Sequence, residues 1–243
     1  MSRVVARLSA AMLAMGLAAD HSSAQDLPPQ EPQLVIEPGM HTAKIRKIAV
    51  DRNCSILATS SFDRTVRIWK LPDSQGGQVQ LQRTLRLPID AADGGRIKAL
   101  ALSLDGKLLA VGGHEVYERQ RKEFSIYVYD MSTGHLVRYI SAPARRYDDY
   151  VDSPNDLAFS RDGRLLATVV SGYGGLFVWD TNTWELKAED LDYVGAGNAL
   201  VFDDKKRLFV AGQDGYLRRY GPVLERNAKP EASVQTLTLG SRF

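Results

Sequence analysis

An all-β repeat architecture is predicted by three observations. Four segments share one pattern: an alternating strand, a polar turn, a second apolar strand, a Gly/Asp/Ser turn and a third strand that ends in an aromatic. The closing aromatics are Trp69, Tyr129, Trp179 and Tyr220, spaced 60, 50 and 41 residues apart, so the period varies by insertion. No segment before the C-terminus carries a convincing 3.6-residue apolar period, which leaves strands as the building elements.

Composition supports a folded chain. Of 243 residues, 44% are hydrophobic and 25% charged, enough apolar material for a core and against disorder. Thirty-one Lys and Arg against 29 Asp and Glu leave a net charge of +2, so no global field calls for nucleic acid or for a cationic partner. A single cysteine, Cys54, excludes an intrachain disulfide and any CxxC zinc or redox motif. His21, His41, His114 and His135 are widely spread with no HExxH, which argues against a histidine-based metal site.

Residues 1–24 read as a secretory signal peptide, with Arg3 and Arg7 ahead of the apolar run Leu8–Ala19 and a small-x-small site at Ser22-Ser23-Ala24. The run is too short to span a bilayer, which disfavours the alternative of an uncleaved anchor helix. Nothing later in the sequence is long and apolar enough to span either. A bacterial, periplasmic or secreted protein without a membrane span after cleavage is expected. Residues 25–32 (QDLPPQEP) form a proline-rich linker, and 33–37 (QLVIE) an extra N-terminal strand.

The repeats follow in order at 39–87, 96–141, 155–190 and 198–239. Ser103-Leu104-Asp105-Gly106 and Ser160-Arg161-Asp162-Gly163 place Asp-Gly between two apolar runs, where Gly accepts positive φ and Asp caps the turn. A fourth strand completes each unit, at 79–87, 135–141, 184–190 and 232–239.

These features resemble the WD40 β-propeller family. Gly39-Met40-His41 followed by Leu57-Ala58-Thr59-Ser60-Ser61-Phe62-Asp63-Arg64-Thr65-Val66-Arg67-Ile68-Trp69 carries the likeness best. Leu165-Leu166-Ala167-Thr168 and Phe177-Val178-Trp179-Asp180 add to it, and the resemblance covers about residues 33–240. It implies a WD40-like propeller of about four four-stranded blades, either an open arc or part of a larger, seven-blade ring. It also implies a structural tetrad in the first blade: His41, Thr59 or Ser61, Asp63 and Trp69. Thr59 and Ser61 share one side of the strand, so either fits. A buried carboxylate needs donors, and a histidine N–H supplies one. The later units lack the histidine and are expected to be held mainly by packing. In the family an N-terminal strand such as 33–37 completes the last blade. Here every unit already owns an outer strand, and an arc would expose apolar faces open to self-association. The exported opening is similar to bacterial WD40 proteins that sometimes carry caspase-like domains, though no protease module is expected here.

The longest inserts, 114–123 and 141–153, fall on the same end as 171–175 and 189–196. Together they bring Tyr117, Arg119, Arg121, Arg145, Arg146, Tyr147, Tyr150, Tyr173 and Tyr193 to one rim. Tyr and Arg join contact area to directional hydrogen bonds and so suit a protein or peptide partner. Such inserts also serve in propellers merely to cover a neighbouring blade. Neither long insert is net basic, which disfavours nucleic acid. Asp148, Asp149 and Asp152 lack EF-hand spacing.

The expected function is therefore a non-enzymatic protein-interaction scaffold with no catalytic, metal or cofactor residues. The alternative is a lactonase-like periplasmic hydrolase or a metal- or cofactor-binding propeller, for which Asn155, Asp156 and Asn198 are the only candidates near a central channel. The His-Ser-Asp set is read as structural rather than as a triad. Cys54, in the sequon Asn53-Cys54-Ser55, is read as a half-buried structural residue.

Overall fold

A computed structural model describes residues 39–73, 76–87, 96–113, 123–143, 146–147, 150–151, 153–172, 174–192, 195–221 and 232–235. The leader at 1–24, the linker at 25–32 and the strand at 33–37 lie outside the described residues.

Sixteen of the strands form four antiparallel sheets, each in simple sequence order. Blade 1 holds β1 (Ile45–Val50), β2 (Ile56–Ser61), β3 (Thr65–Lys70) and β4 (Gln80–Arg86). Blade 2 holds β5 (Ile97–Leu102), β6 (Leu108–Gly113), β7 (Glu123–Asp130) and β8 (Leu136–Pro143). Two short strands, β9 (Arg146–Tyr147) and β10 (Tyr150–Val151), form a separate ribbon after it. Blade 3 holds β11 (Pro154–Phe159), β12 (Leu165–Val170), β13 (Leu176–Asp180) and β14 (Leu186–Asp190). Blade 4 holds β15 (Gly197–Phe202), β16 (Leu208–Gly212), β17 (Tyr216–Tyr220) and β18 (Ala232–Gln235).

The hairpin between the first two strands is built the same way in every blade. Asp51, Ser103, Ser160 and Asp203 stand at equivalent places, and each side chain accepts backbone N–H groups four residues on or five residues on. Three residues after each cap the backbone turns left-handed, at Cys54 (φ 53°), Gly106 (73°), Gly163 (72°) and Lys206 (62°). The Asp-Gly signal therefore marks a turn that blades 1 and 4 make without glycine. Cys54 is exposed there, not half-buried as its neighbours suggested, because it occupies the outward corner of the turn.

Three apolar clusters lie between the sheets, one per junction. Ala58, Val66 and Ile68 of blade 1 meet Ile97, Leu100, Leu109 and Val111 of blade 2. The opposite face of blade 2, with Phe124, Ile126 and Val128, meets Leu157, Leu166, Phe177 and Trp179 of blade 3. The other face of blade 3, with Val169, Leu176 and Val178, meets Leu200, Leu208, Val210 and Tyr220 of blade 4. A middle strand buried on both faces reads as a continuous apolar run, and β12 (LLATVV) is buried at every position. The turns of blades 3 and 4 are joined by Lys206 and Asp162 at 2.7 Å and by the Arg161–Asp204 ion pair.

The outer blades differ. Blade 1 leaves Ile48 and Val50 exposed on the face away from blade 2, and blade 4 leaves Val201 and Leu217 exposed on the face away from blade 3. Contacts run from blade 1 through 2 and 3 to 4, and among the described residues no packed sheet interface joins blade 4 back to blade 1. Among the described residues the four blades form an open arc.

Two glycines separate backbone strain from packing. A Cβ at Gly163 would touch nothing within 4 Å, yet its φ of 72° is left-handed. Gly163→Ala should cost about 1–2 kcal/mol through the backbone alone. At Gly197 the added Cβ would lie 2.5 Å from Val169 Cβ across the junction of blades 3 and 4. Gly197→Ala should cost about 1–3 kcal/mol through overpacking. Urea denaturation midpoints check both, and an unchanged midpoint for Gly197→Ala would contradict the close approach of the sheets.

Candidate functional site

Two sets of polar side chains organise the arc. The first lies in blade 1. Trp69 Nε1–H donates to Thr59 Oγ1 at 2.9 Å, and Thr59 Oγ1 lies 2.8 Å from His41 Nε2. Trp can only donate, so the Thr59 hydroxyl accepts from it. The Asp63 carboxylate can only accept, so His41 Nδ1 carries a proton and donates to Asp63 Oδ2 at 2.8 Å; in the tautomer with Nδ1 protonated, Nε2 accepts the Thr59 hydroxyl proton. The His41 and Asp63 side chains are both nearly sealed from solvent, at 4% and 6% exposure.

Between the two candidates for the hydroxyl position, the structure places Thr59 against His41 and Trp69. Ser61 instead donates to the Ala43 carbonyl and accepts from the Asp63 N–H. Thr65 was not anticipated. Its hydroxyl donates to Asp63 Oδ1 at 2.6 Å, and its N–H and that of Thr42 also reach the carboxylate. The Asp-Arg-Thr spacing is an Asx-type local signal that could have shown it. Burial alone would raise the Asp63 pKa. Hydrogen bonds from Thr65, His41 and Thr42 outweigh it and hold the carboxyl below its usual 3.8. With four donors on one carboxylate, the set is suited to holding the loop before β1 onto β2 and β3.

The later blades are not held by packing alone. Tyr220 O–H donates to Asp190 Oδ2 at 2.7 Å across blades 3 and 4, buried at both ends.

The second set sits where the inner strands β1, β5, β11 and β15 begin. Asn155 Nδ2 donates to the Gly197 carbonyl at 2.9 Å. Asp156 Oδ1 accepts Lys47 Nζ at 2.8 Å from blade 1, and Oδ2 accepts the Leu200 N–H at 3.0 Å from blade 4. Asn155 and Asp156, offered as channel ligands, are thus engaged in linking blades. Asn198 is exposed beside them. Among the described residues no three His, Cys, Asp or Glu side chains gather as a metal site.

Of the expected rim residues, Arg146, Tyr147 and Tyr150 fall on the β9–β10 ribbon, where Tyr150 pairs with Tyr147. Tyr117, Arg119, Arg121, Arg145, Tyr173 and Tyr193 lie outside the described residues.

Comparison with known proteins agrees with this architecture. Residues 33–70 match the family model for the WD domain, G-beta repeat. Over 145 residues, 59% of the chain, the sequence is 27% identical to a guanine nucleotide-binding protein subunit beta of Oryza sativa subsp. japonica. Its counterpart in Zea mays is 26% identical over the same share of the chain. The aligned region covers 33% of each of these relatives, so the chain spans about a third of their length. Four ordered antiparallel sheets, one repeat that matches the WD domain model and a distant similarity to G-protein β subunits make an all-β arrangement consistent with WD40 β-propeller blades.

His41→Ala should lower stability by on the order of 1–3 kcal/mol, since it leaves the Asp63 carboxylate and Thr59 hydroxyl short of partners. His135 is exposed at a turn, and His135→Ala should change stability by less than about 0.5 kcal/mol. Equal urea midpoints for the two variants would contradict a stabilising network.

The depressed Asp63 pKa adds a pH signature. Its contribution is complete above 3.8, the unfolded value, and is lost as pH falls through the lower folded value. Asp63→Asn should therefore be less stable than wild type at neutral pH, and the gap should narrow below 3.8. Urea titrations at neutral and acid pH measure that gap.

Proposed function

We propose that the chain is a non-enzymatic protein-interaction scaffold, exported from a bacterial cytoplasm to the periplasm or beyond. The observation that carries this reading is the rigid, repeated arc itself. Its inner-rim groups Lys47, Asn155 and Asp156 are engaged in joining blades. Binding loops on a rigid scaffold are the usual place for recognition. Similarity to G-protein β subunits favours protein partners over small substrates. The export reading rests on the character of residues 1–24.

On this reading the Tyr/Arg rim takes a protein or peptide. Arg146 lies on the short β9–β10 ribbon, which is separate from the four blade sheets, and Arg145 precedes it in sequence. Arg145→Ala combined with Arg146→Ala should reduce partner recovery severalfold in a pull-down from periplasmic extract, with an unchanged melting temperature. Full recovery of every specific partner would remove this loop from the binding surface.

The outer faces of blades 1 and 4 support self-association as well. Both are apolar, and each repeats a surface that is buried at the three internal junctions. Two arcs joined blade 4 to blade 1 would continue the same sheet-on-sheet interface. Protein lacking residues 1–24 should run as a concentration-dependent oligomer in light scattering. A sharp monomer over a wide concentration range, with no binding of a hydrophobic dye, would argue against it.

A further inference from the structure

The first strand of every blade carries a β-bulge at the same place. The register shifts between Ile45 and Lys47, Ile97 and Ala99, Pro154 and Asp156, and Gly197 and Ala199. The residues left out of the ladder are Arg46, Lys98, Asn155 and Asn198, all with nitrogen donors. A bulge re-aims its side chain, and here two of the four reach the next blade. Lys98 Nζ donates to Ser153 Oγ at 3.0 Å, and Asn155 donates to the Gly197 carbonyl.

Charge is unevenly matched around this rim. Lys47 has a carboxylate in Asp156. The Asp156 oxygens take Lys47 Nζ and the Leu200 N–H, and neither Lys98 nor Arg46 makes an ion pair with that carboxylate. Lys98 and Arg46 have no carboxylate among the described residues. Lys98 is half-buried and its one partner is a neutral hydroxyl, although an ammonium has three donors. Burial and the nearby Arg46 charge both lower the Lys98 pKa, the mark of a cation short of a counter-charge. Ser153 and Ser171 stand together behind it, their hydroxyl oxygens 3.3 Å apart. Arg46 is exposed, so the pair opens to solvent on its side.

We propose that Arg46 and Lys98 form an anion site on the inner rim of the arc, which takes a carboxylate from an acidic segment of a protein partner. The inference rests on the scaffold reading and names the chemistry of its ligand. Arg46 supplies a planar fork matched to a carboxylate, and Lys98 supplies a fixed, partly desolvated charge. The exposed side of the pair admits a peptide rather than enclosing a small ion. Blades 3 and 4 carry asparagine at the equivalent bulges, so the charge is confined to blades 1 and 2 and reads one acidic side chain.

Fluorescence anisotropy with a labelled, short glutamate-rich peptide and its glutamine counterpart tests this on the full-length protein. The glutamate peptide should bind, weaken with added salt, and lose roughly tenfold in affinity to Arg46→Gln and to Lys98→Gln. The glutamine peptide should not bind. Lys98→Gln removes one of two repelling charges, so its melting temperature should be no lower than wild type. Should that variant fail to fold, the exposed Arg46→Gln decides. Affinity of both variants unchanged from wild type, or equal binding of the two peptides, would overturn the site. Inorganic phosphate that competes as strongly, mole for mole, as unlabelled glutamate peptide would overturn the peptide as its ligand. A captured protein partner indifferent to Arg46→Gln would overturn the site and leave the scaffold standing. Failure to capture any partner would strike the scaffold reading, while the peptide titration would still report on the anion site.

Discussion

Burial of one sheet against the next is the constraint on which the rest of this molecule depends. A single four-stranded blade has two apolar faces and no way to cover both. Blades 2 and 3 solve this by lying between neighbours, and their middle strands are sealed almost throughout. The cost appears at the ends of the arc, where Ile48 is 68% and Val201 58% exposed. Each exposed end repeats the kind of face that the internal junctions bury. Small residues set how closely the sheets approach. Gly112 faces the Cβ of Pro154 and Gly197 that of Val169, each at under 3 Å from an added Cβ, so the junctions tolerate no side chain there.

Polar chemistry is subordinate to that packing and falls where packing leaves gaps. In blade 1 the loop ahead of β1 has few apolar residues, with Met40 exposed, and the His41–Asp63–Thr59–Trp69 chain anchors it instead. Blade 4 presents Tyr220 in place of tryptophan, and its hydroxyl reaches back to Asp190 of blade 3. The two aromatics end the same strand but serve different contacts: one holds a loop to its own blade, the other joins two blades.

Much of this was legible in the sequence because the repeat reports itself through turns. The Ser-x-Asp-Gly segments and the closing aromatics mark the repeats, and the second strand of each unit reads as an apolar run, which in β6 and β12 the structure covers on both faces. Cys54 was misread because its neighbours, not its φ, were used: the repeat puts it in the left-handed corner that Gly106 and Gly163 occupy elsewhere. Thr59 could not be separated from Ser61 by parity, since both face one side, and only the position of the imidazole distinguishes them. Asp156 read as a channel ligand because its partners, Lys47 and Leu200, are 109 and 44 residues away and carry no local signature.

The bulges show why inner-rim chemistry resists sequence reading while remaining orderly. A bulge leaves no compositional mark, yet repetition in four blades assigns Arg46, Lys98, Asn155 and Asn198 to equivalent places. Equivalent positions in a repeat share geometry but not necessarily chemistry. Asn155 donates to a carbonyl of the next blade and adds to cohesion, while Asn198, on the last blade, is exposed. Where it is lysine or arginine the same geometry brings two cations together, which opposes cohesion. A neutral side chain at these places would avoid that repulsion. Two like charges at neighbouring equivalent places, one of them half-buried with a single neutral hydroxyl for a partner, are what the anion site proposed above would use.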